Sequence, residues 1–140
     1  MRINSKTKKI VISLLTVAFL LSCVQVATAQ TKTKTYAFLA IVPDDVVLGE
    51  SILANSWTTP QPPMIPGTSD GQPREGYYYD FTKPDGSIDT VGPRTSDGPG
   101  TDWFMYTPDQ AGTWKVKFRW GGDELFEACE SPESTFIVRA

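Results

Sequence analysis

The chain has 140 residues, no histidine, two cysteines, 11 glycines, 11 prolines and a formal net charge of −3. The first 29 residues hold four of the thirteen basic side chains and none of the sixteen acids, so the remainder carries nine basic against sixteen acidic groups, net −7. All the glycines and prolines lie after Ala29, about 20 % of that part against an ordinary share of about 12 %. A long helical bundle, a basic nucleic-acid-binding surface and every mechanism that needs an imidazole are thereby excluded.

Residues 1–9 are basic, Ile10–Val26 is apolar and uncharged, and Ala27-Thr28-Ala29 places small side chains at the two positions that a signal peptidase accepts. This pattern predicts an N-terminal signal helix over residues 1–29, cut between Ala29 and Gln30, and a secreted or cell-surface product. Two other readings stay open. About 17 apolar residues is the lower edge of what spans a bilayer, which allows an uncleaved anchor. Leu20-Leu21-Ser22-Cys23 loosely matches a lipoprotein box with Cys23 as acyl acceptor, and a lipid there anchors an otherwise soluble protein. Membrane contact is expected only through this segment. Once the signal is removed, Cys129 stands alone and cannot close an internal disulfide.

Residues 30–35 (QTKTKT) are polar and repetitive and read as a spacer. From Tyr36 to Ala140 the chain consists of short alternating or apolar runs bounded by turn residues, with no stretch of helical periodicity. Strands are predicted over Tyr36–Val42, Ser51–Trp57, Tyr77–Thr82, Ile88–Val91, Asp102–Thr107, Thr113–Trp120 and Ser134–Arg139, with Val46–Glu50 as a turn into the second. Lys83-Pro84-Asp85-Gly86-Ser87 has a proline to fix φ and a glycine for positive φ, a hairpin turn. In Thr113–Trp120 the residues Trp114, Val116, Phe118 and Trp120 share one face, and Lys115, Lys117 and Arg119 the other. The segment 58–76 contains five prolines. It is expected to be an extended, partly polyproline loop. About seven short strands in residues 36–140 predict an all-β, two-sheet, immunoglobulin-like sandwich.

Immunoglobulin-like modules commonly show an Asp, a small residue and an aromatic at the corner entering the sixth strand; Asp109, Gly112 and Trp114 resemble that corner. Tryptophan stands where tyrosine is usual and there is no cysteine pair between the sheets, so neither a tyrosine-corner hydrogen bond nor an inter-sheet disulfide is implied. A wider resemblance rests on Thr35-Tyr36-Ala37-Phe38-Leu39, Val47-Leu48-Gly49-Glu50, Thr82–Ser87, Thr95-Ser96-Asp97 and Thr107-Pro108-Asp109-Gln110. These segments are similar to the N-terminal immunoglobulin-like domain of secreted archaeal surface proteins, in which the domain usually precedes a PQQ-binding-like β-propeller. The resemblance implies an extracytoplasmic, non-catalytic module. It carries over no cofactor residue, because Ala140 comes directly after the last predicted strand, before any propeller.

Without histidine there is no Ser/His/Asp or Cys/His system, and one mature cysteine makes no thiolate zinc site. Acid–base chemistry would fall to carboxylate pairs, and the sixteen acids read instead as solvated surface charge. No catalytic, cofactor or metal residue is therefore assigned. Asp97–Asp102 and Asp80–Asp89 offer oxygen ligands to calcium, but turn-forming Asp-Gly explains both. No Asn-x-Ser/Thr acceptor is present. The expected function is that of a spacer or protein-interaction domain. The alternative is a carbohydrate-binding module that stacks sugars on surface aromatics near the Pro-rich loop, namely Trp57, Tyr77, Tyr78 and Tyr79. The partner in either case is a cell-surface protein or glycan.

Overall fold

A computed structural model describes residues 31–68 and 70–140. Among these residues there are nine strands and no helix: β1 (Tyr36–Val42), β2 (Asp45–Val47), β3 (Ile52–Thr59), β4 (Glu75–Thr82), β5 (Ile88–Thr95), β6 (Thr101–Tyr106), β7 (Gly112–Trp120), β8 (Cys129–Glu130) and β9 (Ser134–Arg139). They form two sheets, a three-stranded one in the order β1-β3-β6 and a six-stranded one in the order β2-β9-β7-β4-β5, with β8 paired to the end of β7. All pairings are antiparallel except β2 with β9, which is parallel. This is an all-β sandwich of two sheets.

All seven predicted strands are present, and the differences have local causes. The turn predicted over Val46–Glu50 begins instead with β2, where the chain crosses to the second sheet so that Val46 enters the core. β5 continues through Pro93 to Thr95. It does so because it is the last strand of its sheet, where a missing N–H leaves no ladder bond unmade. The expected spacer is partly built into the domain. Thr33 bridges to Phe126, receiving the Glu127 N–H on its carbonyl and donating its own N–H to the Leu125 carbonyl, and Thr35 is buried. The Pro-rich segment contributes Thr58–Thr59 to β3 and Glu75–Gly76 to β4. Between them it folds back on itself, with Ile65 N–H donating to the Asp70 carbonyl and Gln72 N–H to that of Pro63.

The core is aromatic because few leucines are available to fill it. Trp114, Tyr77, Tyr79, Phe81, Phe118 and Phe136 are fully buried, with Ile52, Val116 and Val138 between them. Rings interlock across the two sheets: Phe81 stacks on Tyr106 at 3.9 Å and Tyr79 meets Phe104 edge-on at 4.7 Å. Such pairs contribute about 0.5–1.5 kcal/mol each beyond area burial.

The two tyrosines also tie the sheets together through their hydroxyls. Tyr77 donates to the Gly100 carbonyl at 2.9 Å and lies 2.7 Å from Thr58 Oγ1. Tyr79 donates to the Asp102 carboxylate at 2.9 Å and lies 2.5 Å from Ser56 Oγ. Asp102 is in turn gripped by the Arg94 fork at 2.6 and 2.9 Å. Polar groups buried between sheets are stable only when paired in this way.

Candidate functional site

The outward side chains of the three-stranded sheet carry no charge, and the Lys34 ammonium lies 5.3 Å over the Tyr36 ring at one end of the face. Alternation sends Ala37, Leu39 and Ile41 of β1 inward, so Tyr36, Phe38, Ala40 and Val42 point outward. In β3 and β6 the same alternation buries Ile52, Ala54, Ser56 and Asp102 and turns Leu53, Asn55, Trp57, Trp103 and Met105 out. Strand register aligns these side chains into rows: Val42–Leu53–Met105, Ala40–Asn55–Trp103 and Phe38–Trp57–Thr101. Trp103 is 64 % exposed and Met105 59 %. Phe38 and Trp57 stack in parallel, 5.3 Å apart at 9°. In the middle of the face the Asn55 side-chain oxygen is buried and has no hydrogen-bond partner among the described residues.

The outer face of the larger sheet has the opposite character. Arg119 pairs with Asp80 at 2.7 Å, Lys115 with Glu133 at 3.1 Å, Lys117 with Glu130 at 3.6 Å, and Arg139 holds Asp45. That is a solvated surface, where such pairs contribute little individually. One outer face of the sandwich is thus a contiguous aromatic and aliphatic surface and the other an ion-paired one.

The structure separates the four expected stacking residues. Tyr77 and Tyr79 are fully buried and cannot stack on a ligand; their ring faces are spent on Phe118 and Phe104, and their hydroxyls on the opposite sheet. Tyr78 points to the outside of the large sheet, with the Arg119 guanidinium 4.5 Å over its ring. Only Trp57 lies on the uncharged face. Of the four tryptophans, Trp114 and Trp120 fill the core, whereas Trp57 and Trp103 are exposed. Phe38, Val42, Trp103 and Met105 were not singled out from the sequence. Their signal was there: β1 and β6 are apolar at both odd and even positions, the pattern of a strand covered on both faces.

Asp109, Gly112 and Trp114 each make a contact of their own at the turn into β7. Trp114 Nε1 donates to the Gln110 carbonyl, 2.9 Å away and four residues upstream, so the indole makes the backbone bond that a tyrosine hydroxyl makes in antibody-type domains. Gly112 has φ +133°, and a Cβ there would lie 2.8 Å from Pro84 Cγ, which requires glycine. Asp109 pairs with Lys83 at 2.5 Å, and Gln110 Nε2 donates to Asp85 at 3.0 Å. The two turns read separately from the sequence are thus clamped to each other.

The other candidates resolve into local structure. In the first calcium candidate, Asp97 Oδ1 accepts the Thr101 N–H and Asp102 serves Arg94 and Tyr79. In the second, Asp80 serves Arg119 and Thr90, Asp85 accepts from Ser87, and Asp89 accepts from Tyr106. Among the described residues no three potential ligands gather into a metal-binding group. Cys129 is half-buried and unbridged, and burial raises its thiol pKa to about 11, so it is a poor nucleophile. Cys23, Ala29 and Gln30 lie outside the described residues. No protein-family model matches the chain, and no curated protein matches it.

Proposed function

We propose that the protein is a secreted or cell-surface, non-catalytic immunoglobulin-like module that docks a protein partner on the outer face of β1-β3-β6. The observation that carries this reading is the uncharged row structure of that face, with Phe38, Trp57, Trp103 and Met105 exposed beside an opposite face covered in ion pairs. Aromatic residues and methionine are enriched, and charged residues depleted, at the centres of protein interfaces. The signal-like N-terminus supports export, and the likeness to N-terminal domains of archaeal surface proteins supports a place beside a larger surface partner. Carboxylates already committed to ion pairs and turns favour a binding role over acid–base catalysis.

Glycan recognition needs hydroxyl-binding polar groups around an aromatic platform. Here the aromatics are flanked by Val42, Leu53 and Met105, with Asn55 and two threonines as the polar contribution, which favours a protein over a sugar. The test compares the purified protein with Trp103→Glu for saturable binding to cell-envelope fractions and to a glycan array. Protease-sensitive envelope binding weakened at least about tenfold by the substitution, at unchanged Tm, is expected for a central aromatic contact. Binding indifferent to Trp103→Glu overturns the face, and protease-resistant binding with a glycan hit replaces the protein partner by a sugar.

A further inference from the structure

Arg74, the residue just before β4, is the most deeply buried cation among the described residues, 3 % exposed. Its backbone is pinned on both sides by Ser96, whose Oγ accepts the Arg74 N–H and whose N–H donates to the Arg74 carbonyl, each at 2.8 Å. Its guanidinium lies between two rings, with Cζ 4.5 Å from the centroids of both Trp120 and Phe126. Nη1 donates to Thr58 Oγ1 at 2.5 Å, the start of a relay through Tyr77 to the Gly100 carbonyl. Nε and Nη2 are buried and have no hydrogen-bond partner among the described residues.

The other three described arginines show what that pair of atoms does in this fold. Arg94 holds Asp102 through Nε and Nη2 at 2.6 and 2.9 Å, Arg119 holds Asp80 through the same two atoms at 2.7 and 3.4 Å, and Arg139 holds Asp45 likewise. Each is a side-on fork around a carboxylate, the geometry that makes arginine the residue for bidentate carboxylate recognition. Arg74 has the same fork in the least solvated surroundings, where an unmatched charge is most costly. It also lines a cleft of about 390 Å³ between the Pro-rich loop and the turn after β7, walled by Pro62, Pro63, Leu125 and Phe126.

We propose that this cleft binds a single carboxylate of a peptide partner on the Nε/Nη2 fork of Arg74. Three exposed acids, Glu75, Asp123 and Glu124, line the same cleft, and none forms an ion pair with Arg74. Asp123 is engaged by the N–H groups of Leu125 and Phe126 at 2.8 Å each. An acidic rim around one buried cation repels a polyanion such as an acidic polysaccharide. It accepts a lone carboxylate flanked by lysine or arginine, which sit against the rim while the carboxylate reaches the fork. Both fork nitrogens lie beneath the surface, so engagement requires the guanidinium to shift within the cleft. The site is separate from the uncharged sheet face and stands independently of its function.

The Arg74 side-chain Nε–H resonance, assigned by its disappearance in Arg74→Lys, reads the site directly. The protein is titrated with acetyl-Lys-Asp-Lys-amide, with its Asn counterpart, with a Lys-rich peptide bearing a free or an amidated C-terminus, and with polygalacturonate. A saturable downfield shift is expected with the Asp peptide or the free C-terminus, each telling which carboxylate is preferred. The Asn and amidated peptides leave the resonance in place, and Arg74→Lys weakens binding about tenfold or more. No shift with any carboxylate, an equal shift with the Asn peptide, or saturation by polygalacturonate overturns the proposal. So does a free-protein resonance that already lies at the downfield, ligand-bound position and moves upfield on Glu75→Gln or Glu124→Gln, because the fork is then served from within the chain. If Arg74→Lys does not fold, the Nε–H resonance is assigned by through-bond correlation along the Arg74 side chain, and the wild-type titration decides alone.

Discussion

Trp114 shows how much one side chain settles at the end of the sandwich. Its indole is fully buried among Tyr106 and Phe136, and its N–H is spent on the Gln110 carbonyl. Trp114→Phe removes the hydrogen bond and part of the ring at once, so it leaves a part-buried carbonyl without its protein donor and a small cavity. Denaturant unfolding is expected to show a loss of roughly 2–4 kcal/mol, and a change below about 0.5 kcal/mol would show that the corner bond is not structural. The Asp109–Gly112–Trp114 spacing was legible in the sequence because each residue answers a local demand. The bond itself was not, since a tryptophan in a strand does not announce where its N–H points.

At the scale of elements, β4 links the sheets in the absence of any disulfide among the described residues. Its period of two places Tyr77, Tyr79 and Phe81 on one face, but three consecutive tyrosines do not say which face is inside. Register with β7 and β5 on either side decides it. Tyr79→Phe keeps the ring and removes the hydroxyl that meets Ser56 and Asp102. The expected cost is about 1–3 kcal/mol, the desolvation penalty of buried polar groups left with fewer partners. Tyr78→Phe on the outer face should change stability by less than about 0.5 kcal/mol. Equal effects for the two variants would remove the inter-sheet role. β2 and β8 escaped sequence reading for a related reason: two or three residues hold too little pattern to be recognised until a neighbouring strand pairs with them.

For the molecule as a whole, the charge pattern sets the pH profile. Hydrogen bonds from Arg139 lower the Asp45 pKa, those from Arg119 lower that of Asp80, and hydrogen bonds from Ser87 and Gln110 lower Asp85 to about 2. A carboxylate depressed in the folded state contributes stability above its ordinary value of 3.8 that is lost as pH falls through the folded value. On the alkaline side the sign reverses. Burial raises Tyr77, Tyr79, Tyr106 and Cys129, so their contribution is complete below the ordinary values of 10.0 and 9.0 and is lost as pH rises beyond them. With no histidine in the chain, Tm is expected to be flat between about pH 5 and pH 8. It should fall on both sides, and Asp85→Asn should make the acid limb shallower. A slope through neutral pH in thermal melts, or an acid limb unchanged by that variant, would contradict the assignment.

What the sequence determined by itself is whatever depends on neighbours a few residues apart. Strand spacing, the charged and apolar faces of β7, the proline–glycine turns and the signal-like leader pattern are all of this kind, because period two and turn chemistry are local. Tertiary structure alone decided which apolar face is covered. Trp57 and Trp103 are as hydrophobic as Trp114 and Trp120, and only the pairing of β1, β3 and β6 into a separate small sheet leaves the first two outside. It also decided the fate of the arginines. Arg94, Arg119 and Arg139 find carboxylates on adjacent strands or across the sandwich, while Arg74 is enclosed by β3, β7 and the turn after β7, where chain segments distant in sequence bring two rings and a threonine against the guanidinium but no carboxylate onto its fork. Such surroundings are assembled by long-range contacts, and no local pattern encodes them.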